Sequence, residues 1–222
     1  MPDHAPRPAL FVDFDNTITR GDVLDAVIER YSATGAWRGW EADWQAGRIS
    51  TPECLGLQVG DLRASPEDLR RFMAGVEIDP AFAAIVEWAR QAAVPLEILS
   101  DNFSTLIHAI LEHHGLGHVP VLANELVFDR NRPQARFPFR DPACARCAHC
   151  KAQHLRAAPG RPRIYVGDGL SDLCPCLVAE VVFAKDSLAA ALERQGTPFR
   201  PYRALDEVLA YLEANHGAPL EA

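Results

Sequence analysis

The chain has 222 residues, with 22 Lys+Arg against 30 Asp+Glu and a net charge of -8. A hydrophobic share of 48% and a charged share of 23% are those of a globular protein, and the length suits one full domain with a smaller one inserted. The acidic balance excludes a nucleic-acid binder that works through a basic face, and no apolar run approaches the roughly 18 residues of a membrane span. Residues 1–8 are polar and Pro-rich, and the short apolar run after them is too brief for a signal-peptide core, so a cytoplasmic location is expected. Residues 9–14 form an apolar run that ends in acids, as a buried strand with chemistry at its C-terminal end would. Residues 22–31 have helical spacing at Val23, Ala26, Val27 and Tyr31. Ser65-Pro66-Glu67-Asp68 is a helix start, with a capping Ser, Pro at the first helical position and an acid at the third. No convincing strand lies in 21–76, which predicts a helical insertion hinged near 19–21 and 75–79. Residues 79–93 return as a helix of the main domain. Further apolar runs at 96–99, 164–166 and 181–184 each end at polar or Gly residues: Ser100-Asp101-Asn102, Gly167-Asp168-Gly169 and Lys185-Asp186. Within the irregular stretch 124–150, residues 126–128 and 136–139 are expected to pair around Asp129-Arg130-Asn131.

Strands alternating with helices predict an α/β fold, a mostly parallel Rossmann-like sheet with helices on both faces. Residues 1–19 and 77–222 would form this core, and 20–76 the helical insertion. Ligands of such sheets sit at the carboxyl ends of the strands, where several of these polar residues fall. The first strand ends Asp13-Phe14-Asp15-Asn16-Thr17. Acids one residue apart point oppositely on a regular strand, so the chain must turn there for both to serve one site. Alone, such a motif also suits a turn or a generic metal site. Thr17 could be a turn residue, and Asp172 could cap the helix it begins.

The order Asp13-x-Asp15-x-Thr17, then Ser100, then Lys151 opening a helix, then Gly167-Asp168-Gly169-Leu170-Ser171-Asp172 resembles the haloacid dehalogenase superfamily of phosphatases. The resemblance covers nearly the whole chain and makes the insertion an all-helical C1-type cap. It implies Asp13 as the nucleophile that would form an aspartyl-phosphate, and Asp15 as the acid that protonates the leaving oxygen and then activates water. It implies Mg²⁺ held by Asp13, the Asp15 carbonyl, Asp168 and Asp172. Lys151 would neutralise the phosphoryl oxygens, with Thr17 and Ser100 as hydroxyl donors. An acid at position 15 separates such phosphatases from the family's dehalogenases, because a halide needs no proton. A phosphomutase or phosphotransferase, or a metal-binding scaffold without activity, are the competing classes.

The helical cap resembles the phosphoserine phosphatase-like branch, whose caps close over small phosphorylated metabolites. Two subfamilies share a Cys-rich stretch ending in Cys-Lys, here Cys144-Ala-Arg-Cys147-Ala-His-Cys150-Lys151. One acts on the methylthio enol phosphate of methionine salvage, the other on phosphoethanolamine or phosphocholine. Ser100-Asp101-Asn102 resembles the amine-phosphate group, but only Asp25 matches that group's acidic pair in the cap. Trp37, Trp40 and Trp44 share one helix face, as cap core or as an aromatic wall for a methylthio group or a quaternary amine. The Cys144, Cys147 and Cys150 spacing suits a structural Zn²⁺, with His149, His154 or another group as fourth ligand, or reduced thiols, with a disulfide or an iron–sulfur site as the remaining alternatives. Cys54, Cys174 and Cys176 are expected to be buried. His108, His113, His114 and His118 are expected on a solvated face. A monomer or weak homodimer is expected.

Overall fold

A computed structural model describes residues 7–130 and 132–217. Among these residues, seven strands form one mostly parallel sheet: β1 (Ala9–Val12), β2 (Leu96–Phe103), β3 (Val121–Asp129), β4 (Arg132–Arg136), β5 (Arg163–Gly167), β6 (Val181–Ala184) and β7 (Arg200–Pro201). Their order is β4-β3-β2-β1-β5-β6-β7. The helices are α1 (Val23–Tyr31), α2 (Trp37–Gln45), α3 (Thr51–Gly60), α4 (Pro66–Met73), α5 (Ala81–Gln91), α6 (Ser104–His113), α7 (Lys151–Ala157), α8 (Leu173–Cys176), α9 (Asp186–Gln195) and α10 (Leu205–His216). Two compact units result: residues up to 20 with 77–99 and 151 onward, and residues 21–76 with 100–150.

In the first unit β1 lies between two parallel neighbours, Val12 opposite Ile98 of β2 and Val166 of β5. All four β1 residues are buried, which fits an uninterrupted apolar strand covered on both faces. Strand order reverses at β1: the chain steps to β2 on one side and to β5, β6 and β7 on the other. Right-handed crossovers in opposite directions place α5 and α9 on opposite faces of the sheet. The reversal opens a crevice at the carboxyl end of β1, where Asp13 begins.

In the second unit, the described segment 21–76 contains α1 to α4 and no strand, only the isolated bridge between Ser32 and Leu62. Short polar side chains start these helices by accepting otherwise unpaired N–H groups. Asp22 caps α1 through the Asp25 N–H at 2.8 Å. Ser50 with Glu53, and Ser65 with Asp68, form reciprocal capping boxes on α3 and α4, the second as its sequence predicts.

Two expectations change. Strand β2 does not end at Leu99 but runs to Phe103, so Ser100, Asp101 and Asn102 lie within it. The Asn124 amide donates to the Asp101 carbonyl and so satisfies the backbone of this extension. The hairpin partner of β3 is 132–136 rather than 136–139, because Asp129 pairs with Arg132 and only two residues remain for the turn. Arg130 takes a left-handed φ of 45° there, and Asn131 lies outside the described residues.

Candidate active site

The crevice at β1 is built by a turn. The Phe14 carbonyl accepts N–H bonds from Thr17, Ile18 and Thr19, and Asn16 takes a left-handed φ of 54°. A short amide side chain tolerates this conformation better than most. The chain thereby leaves strand geometry directly after Asp13, as the Asp-x-Asp spacing requires. Asp13, Thr17, Asp168 and Asp172 are buried, and Asp15 is half-buried.

Lys151, first residue of α7, is the cation of this site. Its side chain is 1% exposed, and Nζ donates to Asp13 Oδ1 and to Asp172 Oδ1, both at 2.7 Å. Ser171 Oγ lies 3.4 Å from the same nitrogen. Asp172 is held from every side. Its Oδ1 also accepts the Tyr165 hydroxyl at 2.6 Å, and its Oδ2 accepts the N–H groups of Asp168 and Gly169 at 3.1 and 3.3 Å. Asp172 therefore closes the turn after β5 and fixes the lysine. Thr17 donates to Asp168 Oδ1 at 3.1 Å, so its hydroxyl positions a carboxylate. Tyr202 reaches in from the segment after β7, donating to the Gly167 carbonyl at 3.3 Å and lying 3.4 Å from Thr17 Oγ1.

One carboxylate oxygen each from Asp13, Asp168 and Asp172 falls within 4.8 Å of the others. Burial, then the charge of Asp172, raises the Asp13 carboxyl well above the usual range, and Lys151 only partly offsets this. Burial and Asp172 push Asp168 up to about 6. Lys151, with the more distant charge of Lys185 acting on Asp168, leaves three crowded carboxylates short of positive charge. A hard divalent cation such as Mg²⁺, which takes oxygen ligands, fits that deficit and donor set.

Ser100, Asp101 and Asn102 lie further along β2 in the second unit. Ser100 Oγ accepts the Asn102 N–H at 3.0 Å, and the buried His149 ring bonds the Ser100 carbonyl at 2.9 Å. Trp37, Trp40 and Trp44 do share the helix α2, but none is buried, so they are not cap core. Trp44 instead donates from its indole to Thr51 Oγ1 at 2.9 Å, and the Arg38 guanidinium lies over Trp37. Asp25 stands among Asp22, Glu29 and Glu41, and desolvation with these charges pushes it up to about 6. Cys144, Cys147 and Cys150 are half-buried, and they do not converge into a metal-ligating group among the described residues. His149, once a possible fourth ligand, is committed to Ser100. Cys54 and Cys176 are buried as expected, but Cys174 is exposed. It faces outward on the single turn of α8, whose inner face is taken by Pro175 and Cys176. His113, His114 and His118 are exposed and His108 is half-buried.

The family model for haloacid dehalogenase-like hydrolases matches residues 10–176, from β1 through α8. The chain belongs to this family. Among relatives of this haloacid dehalogenase-like hydrolase, the 2-hydroxy-3-keto-5-methylthiopentenyl-1-phosphate phosphatase of Brevibacillus brevis is 28% identical over 92% of this chain and 94% of its own length. The protein of the same name from Geobacillus kaustophilus is also 28% identical, with the same coverage. Among solved structures, a substrate-bound phosphoserine phosphatase superposes with a TM-score of 0.71 at 16% identity, covering 94% of this chain and 99% of that one. At that identity the likeness shows a shared fold. Sequence reasoning missed Tyr165 and Tyr202 as supports of the site, and Asp22 and Glu41 as neighbours of Asp25. Tyr165 stands in the run before Gly167, but its partner is decided by where Asp172 turns back.

Proposed function

We propose that the protein is a phosphatase that hydrolyses a small phosphomonoester through a covalent phosphoryl intermediate on Asp13. The observation that carries this reading is the buried Lys151 shared by Asp13 and Asp172 at 2.7 Å, beside the third carboxylate of Asp168. A phosphate dianion and a carboxylate nucleophile repel, so a site for their reaction must concentrate positive charge and fix direction. Lys151 does both: it orients the Asp13 carboxylate and stands ready for a phosphoryl oxygen. Asp13 attacks phosphorus with one carboxylate oxygen while the P–O bond to the leaving group breaks. Asp15, half-buried two residues on, gives that leaving oxygen its proton and then takes a proton from the water that attacks the acyl phosphate. Asp168 and Asp172, with Asp13 and the Asp15 carbonyl, would hold Mg²⁺, which when bound supplies charge neutralisation to the phosphoryl group. Thr17 keeps Asp168 in place, and Ser100 is assigned as a further hydroxyl donor to the phosphate. An acid at position 15 favours release of the phosphoryl group to water over a phosphomutase or phosphotransferase outcome.

In this reading residues 1–19 and 77–222 are the catalytic core, and the helical segment 20–76 is the cap that selects the substrate. The names of the relatives favour the methylthio enol phosphate 2-hydroxy-3-keto-5-methylthiopentenyl-1-phosphate. The half-buried face of Trp37, Trp40 and Trp44 offers apolar area suited to a methylthio group. One observation favours an amine phosphate instead. Asp25 does not stand alone, because Asp22 and Glu41 add carboxylates that would attract a cationic head group, and Asp101 follows Ser100.

Phosphate release with Mg²⁺ across the methylthio enol phosphate, phosphocholine, phosphoethanolamine, phosphoserine and sugar phosphates tests both readings. A single preferred substrate, with activity lost in Asp13→Asn, is the expected result. Turnover that survives Asp13→Asn defeats the mechanism, and bound metal without any turnover favours a binding scaffold.

A further inference from the structure

The loop before Lys151 contains a pair of thiols that the phosphatase chemistry does not use. Cys144 Sγ accepts the Cys147 N–H at 3.4 Å. The turn is fixed from outside as well: the Cys144 N–H donates to the Asp141 carbonyl at 2.9 Å, and the Arg146 carbonyl accepts the Thr51 N–H at 2.9 Å. Pro142, Ala143, Ala145 and Arg146 around the pair are exposed, so a small reagent can reach it. The later half of the loop differs. Ala148 and His149 are buried, and the Cys150 N–H is bonded to the Phe139 carbonyl at 2.9 Å. Cys144, Cys147 and a third Cys, His, Asp or Glu do not gather into one ligand group among the described residues.

We infer that Cys144 and Cys147 form a reversible thiol–disulfide pair, with Cys144 as the attacking thiolate and a low-molecular-weight disulfide as the oxidant. N–H groups aimed at a sulfur stabilise its thiolate, which is the nucleophile in exchange. In the first step the Cys144 thiolate attacks one sulfur of the small disulfide, forms a mixed disulfide and expels one small thiolate. In the second, Cys147 loses its proton to solvent and attacks Cys144 Sγ, expelling the second small thiolate. The two cysteines lose two electrons and two protons, and the small disulfide becomes two thiols. The Cys147 N–H already lies on Cys144 Sγ at 3.4 Å, so rotation of the Cys147 side chain within this tight turn brings the two sulfurs to bonding distance. The inference stands on the loop's own geometry and is independent of the proposed phosphatase activity.

The test exposes the full chain to oxidised glutathione, quenches with an alkylating agent, and maps tryptic peptides by mass. Cleavage after Arg146 separates the two cysteines, so the disulfide appears as a cross-linked pair of peptides. The expected result is a Cys144–Cys147 link that reduction removes and Cys150→Ser keeps. In Cys147→Ser the link is lost, and the Cys144 mixed disulfide with glutathione accumulates in its place. The inference is overturned if the wild-type chain forms no link, if the link survives Cys147→Ser through Cys150, or if glutathione adds to exposed Cys174 faster than to Cys144. Stoichiometric zinc, released by thiol-specific reagent from the purified protein, also overturns it, because the thiols would then be ligands.

Discussion

Replacing Lys151 by Met removes the cation that bridges Asp13 and Asp172 while keeping the length of its stem. At 1% side-chain exposure, solvent does little to screen the carboxylates left behind. Taking one partner from such a buried ion pair costs about 3–5 kcal/mol. At roughly 2–4 °C per kcal/mol for a chain of this size, the metal-free variant should melt about 6–20 °C below the parent near pH 8. The deficit should depend on pH. A carboxyl whose folded pKa is raised binds protons more strongly in the folded state, so it favours folding at low pH and loses that effect as pH rises. For Asp168 the window runs from the ordinary 3.8 up to about 6, and Asp13 is shifted the same way. Near pH 5 Asp168 takes up a proton, the repulsion within the cluster is relieved, and the variant should approach the parent. Excess Mg²⁺ at pH 8 should restore part of the loss, because a ligand of the folded state alone stabilises it. Calorimetry of both proteins at pH 5 and pH 8, with and without Mg²⁺, reads each arm. Equal melting at pH 8, or one deficit at both pH values, would refute the assignment of Lys151 as the charge that makes this cluster tolerable.

Other substitutions probe neighbouring parts. Tyr165→Phe deletes one of two bonds to Asp172 Oδ1 and should cost about 1.5–3 kcal/mol, the range for a bond to a charged group, measured by thermal or denaturant unfolding. Its turnover should fall with little change in KM, since Tyr165 acts through Asp172. Gly167→Ala would drive a Cβ into the Asp172 carboxylate, whose Cγ would lie 2.8 Å away. Displacing Asp172 loosens Lys151, so phosphate release should drop by about 10²–10³-fold, as for loss of a preorganised donor. Asp25→Asn should raise the melting temperature at pH 8 and leave it nearly unchanged below pH 4, because Asp25 titrates up at about 6 among acidic neighbours. If an amine phosphate is the substrate, the same variant should raise KM for it and spare uncharged phosphomonoesters in a parallel assay.

The sequence by itself determined the catalytic signature. Asp13, Asp15, Lys151, Asp168 and Asp172 are recognisable because their order along the chain, at strand ends and helix starts, is the one that haloacid dehalogenase-like hydrolases share. Helix starts such as Ser65 with Asp68 were legible for a related reason: a cap is satisfied within three residues. Tertiary structure alone decided what depends on distant partners. Asp172 gathers Lys151, Tyr165 and two backbone N–H groups, and Thr17 meets Tyr202 across 185 residues of chain. The end of β2 was misplaced because its polar residues look like a strand terminus, while the bond that carries it onward comes from Asn124, 23 residues away. The cysteine spacing likewise left metal and thiol readings open. Only the folded loop showed that Cys147 turns its N–H onto Cys144 Sγ while the three thiols do not gather into one ligand group among the described residues. Local order in the chain fixes which groups exist and where elements begin. Side-chain partners are set by packing among segments far apart in sequence, and no short window of residues records that packing.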